Sequence, residues 1–136
     1  GVAPEQHLQL AVNDVADPAF GEVPPGAHHI ERLLSFGRDW SGDAPMLVHC
    51  WAGISRSTAA AYILLCDRFG AGCESEVAKA LRFRAPHAFP NALMVRLADE
   101  ALDRQGRMIG AVEALGRGRI VAEGECVELP LERKAL

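Results

Sequence analysis

The chain has 136 residues, which is enough for one domain with a single hydrophobic core. Apolar residues make up 49% of the chain and charged residues 24%, a composition typical of soluble globular proteins. The net charge of −4 argues against a general nucleic-acid-binding protein, which would carry a basic stripe, so we expect no nucleic-acid partner.

The cysteines do not form metal-binding pairs. The four of them are Cys50, Cys66, Cys73 and Cys126, with no CxxC spacing among them. The sequence therefore predicts neither a zinc site nor a disulfide framework, and it favours a reducing, cytoplasmic setting. The longest apolar run, Thr58 to Cys66, is nine residues and is too short for a membrane span, so we expect no membrane partner.

The first half of the chain alternates strand and helix signals. In "HLQLAVND" the apolar residues Leu8, Leu10 and Val12 alternate, which predicts a strand ending at Val12. The loop "DPAFGEVPPG" follows, and "AHHIERLLSFGRDW" then predicts a helix with one apolar stripe. The short run "MLVH", bounded by turn signals, is typical of a buried parallel strand.

The second half is predicted to be mainly helical. One helix runs from Ser57 to about Phe69, and "ESEVAKALRFRA" predicts a second, amphipathic one. Asn91 is expected to cap a helix that continues to about Asp103, and a further helix is expected over residues 107–115. The last twenty residues suggest one or two short strands.

This order predicts one α/β domain over residues 1–136, with a mainly parallel sheet flanked by helices. Ligands bind such sheets at the carboxyl ends of the strands. Asp14 and Cys50 both come just after predicted strands, so we expect them at the same edge of the sheet.

The loop that begins at Cys50 contains the candidate catalytic and anion-binding residues. Five residues separate Cys50 from Arg56 at a predicted strand-to-helix junction. The backbone N–H groups of such a loop can converge on an anion, and Gly53 permits the dihedral angles this requires. Arg56 offers a planar fork for two phosphate oxygens. The positive potential of the loop amides, of Arg56 and of the helix start lowers the pKa of a thiol at Cys50. Ser57 can donate a hydrogen bond to its sulfur.

The segment "HCWAGISRST" resembles the active-site pattern of the protein tyrosine phosphatase superfamily: His-Cys, five residues, Arg, then Ser or Thr. "LVHCWAGISRS" is most similar to the dual-specificity branch, and "VND" upstream and "FPN" downstream agree with that branch in order and distance. The resemblance covers roughly residues 8–104. Family members have further strands before the one at Leu8, so the resemblance implies a phosphatase-like fold with N-terminal strands missing from this chain.

The resemblance also implies roles for the residues of the motif. Cys50 would be the nucleophile, Arg56 the phosphate clamp, and Ser57 would assist the breakdown of a phosphocysteine. His49 would support the loop from a buried position through hydrogen bonds. The phosphate oxygens would be held by the backbone amides of Trp51, Ala52, Gly53, Ile54, Ser55 and Arg56.

Two residues are candidates for the general acid that protonates the leaving oxygen. Asp14 follows the predicted strand directly and matches the family's "ND", so it is the preferred candidate. Asp17 is the alternative, although its position before Pro18 is also typical of a residue that starts a turn.

The expected function is that of a metal-independent phosphoric monoester hydrolase without a cofactor. Trp51 and Ile54 lie in the loop where phosphoinositide phosphatases often carry lysines, which favours an aryl phosphate or a phosphopeptide as substrate. One alternative is a rhodanese-type sulfurtransferase, whose loops generally have four residues before the Arg position. Another is a catalytically idle phosphate- or phosphoprotein-binding module, which would normally have lost the nucleophile or the arginine.

Overall fold

In a computed structural model that describes residues 1–136, the chain folds into five α-helices with no β-sheet. The helices are α1 (Ala27–Asp39), α2 (Arg56–Phe69), α3 (Glu74–Arg84), α4 (Ala92–Ala101) and α5 (Arg107–Leu115). Short 3₁₀ turns occur at Pro4–Gln6 and Arg133–Ala135. None of the helices combines the length and the apolar character that a membrane span requires.

Helix α2 is the central element, and it contacts α1, α3 and α4. Its residues Ala59, Tyr62, Ile63 and Cys66 are completely buried. The helix ends at Gly70, whose φ of +86° is in the left-handed region that glycine adopts without strain. Because α2 begins directly after the cysteine loop, the packing of α2 fixes where that loop lies.

The predicted helices are confirmed. The stripe of α1 faces the core with Ile30, Leu33 and Leu34 buried, as the spacing of three and four residues indicates. Asn91 caps α4, since its side-chain oxygen accepts a hydrogen bond from the backbone N–H of Met94 at 2.9 Å. The fifth helix has the predicted limits.

The predicted parallel sheet, and with it the α/β fold class, is wrong. Neither residues 8–12 nor residues 46–49 form a strand, and no backbone hydrogen bond joins them to each other. Within the second segment, Leu47 is 77% exposed, which is incompatible with a buried central strand. The last twenty residues likewise contain no strand.

The physical reason is that alternating apolar and polar residues indicate which side chains are buried. They do not show that a second strand lies beside the segment to accept its backbone hydrogen bonds. Val12 is buried, and Leu8, Leu10 and Val48 pack against the helical core as single side chains. These residues face the core as their spacing predicts, but their backbone is not part of a ladder. Segments without regular secondary structure that lie on the helices therefore account for the apolar pattern.

The segment after α5 turns back toward the cysteine loop. The N–H of Arg119 donates to the carbonyl of Pro86 at 2.8 Å, and the N–H of Gly124 donates to the carbonyl of Ala52 at 2.7 Å. Further on, Arg133 forms an exposed ion pair with Glu76 on α3. Residues 116–128, called here the C-terminal segment, thus connect α5 to the candidate site.

Candidate active site

Cys50 is the first residue of the loop that leads into α2, called here the cysteine loop (Cys50 to Arg56). Its Sγ is 3.2 Å from the Oγ of Ser57, on the first turn of the helix, and the thiol donates in that hydrogen bond. The backbone N–H of Gly53 donates to the same sulfur at 3.3 Å. Gly53 has a φ of +71°, in the left-handed region. Glycine adopts this conformation without strain, because it has no Cβ.

The polar neighbours of the sulfur change the acidity of the thiol. Burial of the sulfur raises the pKa of Cys50, but hydrogen bonds to the thiolate from Ser57, Gly53 and Ile54 outweigh burial, so the pKa lies below that of an ordinary thiol. The thiols of Cys66 and Cys73 differ, because burial raises the pKa of both. Cys50 is therefore set apart from the core cysteines as a sulfur poised to ionise.

The outward-facing carbonyls of the loop are bonded to chain that follows it in sequence. The bonds run from Gly124 N–H to Ala52 O at 2.7 Å, from Phe89 N–H to Ile54 O at 2.9 Å and from Asn91 N–H to Ser55 O at 3.1 Å. All peptide bonds are trans, so the N–H of each of these peptide units points opposite to its carbonyl. The amides of Gly53, Ser55 and Arg56 thereby point away from these bonded neighbours, and that of Gly53 meets the Cys50 sulfur.

Arg56 is half-buried beside this loop. One of its terminal nitrogens donates to the carbonyl of Val12 at 3.0 Å, which anchors the guanidinium. Its Nε is buried and has no hydrogen-bond partner. A buried guanidinium N–H without an acceptor is costly, and an oxyanion bound in the loop would supply the acceptor.

Asp14 approaches the loop from the first segment of the chain. Its Oδ1 accepts hydrogen bonds from the hydroxyl of Ser55 at 2.7 Å and from the side-chain amide of Asn91 at 2.9 Å. Asp17 makes a local contact instead: its Oδ1 accepts a hydrogen bond from the N–H of Ala19 at 2.8 Å. Of the two candidate acids, only Asp14 contacts the cysteine loop.

Two side chains of the motif lie at the surface. His49 is exposed, so the expectation that it supports the loop from a buried position is wrong. Trp51 is 94% exposed directly beside Cys50. Phe89, whose backbone holds the loop, is 51% exposed, and the guanidinium carbon of Arg117 lies 5.8 Å from its ring centroid.

Sequence reasoning missed two residues of the site. Asn91 was predicted as a helix cap, but its contact with Asp14 depends on tertiary structure. Gly124 carries no local signal, since glycine is common in any irregular segment. Neither the spacing of the cysteine motif nor the polarity of the C-terminal segment could have indicated that these residues meet the loop.

The arrangement can bind a tetrahedral oxyanion above an ionised sulfur. The Gly53 amide and Arg56 would provide donors, the Cys50 sulfur lies beside them, and Asp14 places a carboxyl group against the loop. The chain matches no protein-family model, and it has no match among curated proteins or among solved structures. The interpretation of the site therefore depends on its own geometry and on the sequence of its loop.

Proposed function

We propose that the protein is a cysteine-dependent phosphoric monoester hydrolase, similar to protein tyrosine and dual-specificity phosphatases. The observation that carries the proposal is the contact of the Cys50 sulfur with the backbone N–H of Gly53 and the hydroxyl of Ser57, in a loop that ends at Arg56, whose buried Nε has no partner. A structural thiol needs no such polar neighbours, and the free Nε of Arg56 leaves a donor for an oxyanion bound in the loop.

In the first step, the Cys50 thiolate attacks phosphorus, a sulfur–phosphorus bond forms, and the bond from phosphorus to the leaving oxygen breaks. The leaving oxygen takes the electron pair of that bond and a proton from the carboxyl group of Asp14. The amides of the loop and Arg56 hold the other three phosphate oxygens, whose charge they stabilise in the transition state.

In the second step, a water molecule attacks the phosphocysteine and gives a proton to the Asp14 carboxylate. The sulfur–phosphorus bond breaks, the sulfur leaves as a thiolate, and inorganic phosphate is released. The hydroxyl of Ser57, 3.2 Å from the sulfur, donates to the departing thiolate and makes it a better leaving group. No oxidant or further reactant is needed.

The surface around Cys50 supports an aryl phosphate or a phosphopeptide as substrate. Trp51 is exposed beside the nucleophile, and Phe89 is half exposed on the adjoining segment. Flat apolar rings of this kind can stack on the aromatic ring of a phosphotyrosine or a similar ester. The side chains of the loop itself include no lysine that could bind an additional phosphate.

The test is hydrolysis of para-nitrophenyl phosphate by the wild-type protein and by Cys50→Ser, both in excess EDTA. We expect turnover by the wild type and none by the variant. Equal rates in the two proteins, or no hydrolysis by either, would contradict the proposal. A parallel assay with thiosulfate and cyanide identifies a sulfurtransferase, for which only this second reaction would depend on Cys50.

A further inference from the structure

The C-terminal segment makes one backbone contact with the cysteine loop, through Gly124. We infer that Gly124 is a positioning residue for the nucleophile, acting through the peptide unit between Ala52 and Gly53. The inference rests on the proposed function, because it concerns the same loop, but it assigns part of the reactivity of Cys50 to a segment outside the phosphatase motif.

The argument starts from one peptide plane. The carbonyl of Ala52 accepts from the N–H of Gly124 at 2.7 Å, and the N–H of the same peptide unit, that of Gly53, donates to Cys50 Sγ at 3.3 Å. In a trans peptide the two groups point in opposite directions. The bond to Gly124 therefore fixes the direction of the amide that stabilises the thiolate.

The two bonds also reinforce each other electrostatically. A carbonyl that accepts a hydrogen bond polarises its peptide unit and makes the attached N–H a stronger donor. The Gly53 amide is one of the donors that lower the pKa of Cys50 against the opposing effect of burial. Loss of the Gly124 bond is thus expected to weaken this donor even if the loop keeps its shape.

The contact is possible only because residue 124 has no side chain. A Cβ added to Gly124 would lie 2.6 Å from the carbonyl oxygen of Gly53 and would collide with the Nε2 of His87. His87 is buried and Gly53 O belongs to the backbone of the cysteine loop, so the added methyl group can be accommodated only by displacing these atoms or the segment that carries it. Even alanine at position 124 must push the segment away from Ala52.

The segment that carries Gly124 is itself anchored on both sides. Arg82 donates to the carbonyls of Ala88 at 3.0 Å and Gly116 at 2.9 Å, which ties the start of the segment to the chain before Phe89. Arg84 donates to the carbonyl of Glu128 beyond Gly124 at 3.3 Å. Gly124 is therefore held against the loop by fixed neighbours rather than by its own contact alone.

The experiment measures the pH profile of Cys50 alkylation by iodoacetamide, read by mass spectrometry of the peptide that contains Cys50. This readout separates Cys50 from the exposed Cys126. We expect Gly124→Ala to shift the profile to higher pH and to lower the alkylation rate near neutral pH about tenfold. The matched control is Gly110→Ala, an exposed glycine in α5 whose added Cβ would meet no atom within 4 Å, and it should retain the wild-type profile.

The same profile in Gly124→Ala and in the wild type would overturn the inference. If Gly124→Ala does not fold, as judged by circular dichroism, Arg84→Met provides the second variant, because it releases the segment at Glu128 without adding bulk near the loop. It should shift the profile in the same direction, and an unchanged profile would again contradict the inference. Failure of the proposed function is distinct, since it appears as an inactive wild type toward para-nitrophenyl phosphate.

Discussion

Asn91 holds Asp14 against the cysteine loop across a separation of 77 residues. Its side-chain amide donates to Asp14 Oδ1 at 2.9 Å, while its backbone N–H donates to the carbonyl of Ser55. Its side-chain oxygen meanwhile accepts from Met94 at the start of α4. One buried residue thus aligns the candidate acid, the cysteine loop and a helix.

This relationship predicts different effects of two substitutions at Asn91. Asn91→Ala removes both the helix cap and the donor to Asp14, so it should lower the free energy of unfolding by about 1 kcal/mol and also reduce kcat. Asn91→Ser keeps an oxygen that can cap α4 but loses the amide donor. We expect it to restore most of the stability and little of kcat, as measured by urea unfolding and aryl phosphate turnover. Recovery of both quantities in Asn91→Ser would mean that the contact with Asp14 is incidental.

The assignment of the general acid predicts a difference between two aspartates. Asp14→Asn should reduce kcat for an aryl phosphate by about 10²-fold or more, because the leaving oxygen no longer receives a proton. Asp17→Asn is the matched control, since Asp17 only accepts a hydrogen bond within its own turn, and it should retain nearly full activity. A loss of kcat confined to the Asp17 variant would transfer the role to that residue.

Ser57 should control the acidity of the nucleophile. The pKa of Cys50 is lowered despite burial, in part by the Ser57 hydroxyl, so Ser57→Ala should raise it and shift the alkylation profile to higher pH. The folded protein releases the Cys50 proton at lower pH than the unfolded chain does. The thiolate therefore adds stability as the pH rises through that window, and Ser57→Ala should flatten the rise. A profile that does not move would show that Ser57 leaves the thiolate unaffected.

A buried ion pair should dominate the acid stability of the helical core. Burial raises the pKa of Glu74, but the hydrogen bond from Arg107, hydrogen bonds from the backbone and the charge of Arg104 outweigh it, so the pKa lies below its ordinary value. Because the unfolded chain takes up this proton first, the contribution is fully present above the ordinary pKa and is lost as the pH falls through the lowered value.

Glu74→Gln should therefore destabilise the protein near neutral pH by about 3 kcal/mol, because Arg104 is left buried without its counter-charge. Below the lowered pKa of Glu74 the difference from the wild type should shrink. The control is Glu76→Gln, which breaks the exposed pair with Arg133 and should change the urea midpoint little. Equal effects of the two substitutions near neutral pH would contradict this account of the core.

The sequence predicted local structure far better than it predicted strand pairing or contacts between distant parts of the chain. The helices could be predicted because their apolar stripes and stop signals lie within one element, as in α1 and at Gly70. The place of the loop from Cys50 to Arg56, directly before α2, could be predicted because the helix signals that follow it are local. The sheet could not, since Leu8, Leu10 and Val12 alternate equally well when single side chains pack on helices. The bond from Gly124 to Ala52 joins distant parts of the chain and has no local signature.

The central claim is that Cys50 forms a covalent bond to phosphorus. The most direct measurement is acid quenching of the protein during turnover of para-nitrophenyl phosphate, followed by mass spectrometry of the peptide that contains Cys50. We expect one added phosphoryl group on Cys50 in the wild type, more of it in Ser57→Ala, whose thiolate leaves less readily, and none in Cys50→Ser. Hydrolysis with no phosphorylated Cys50 peptide in either the wild type or Ser57→Ala would contradict the account.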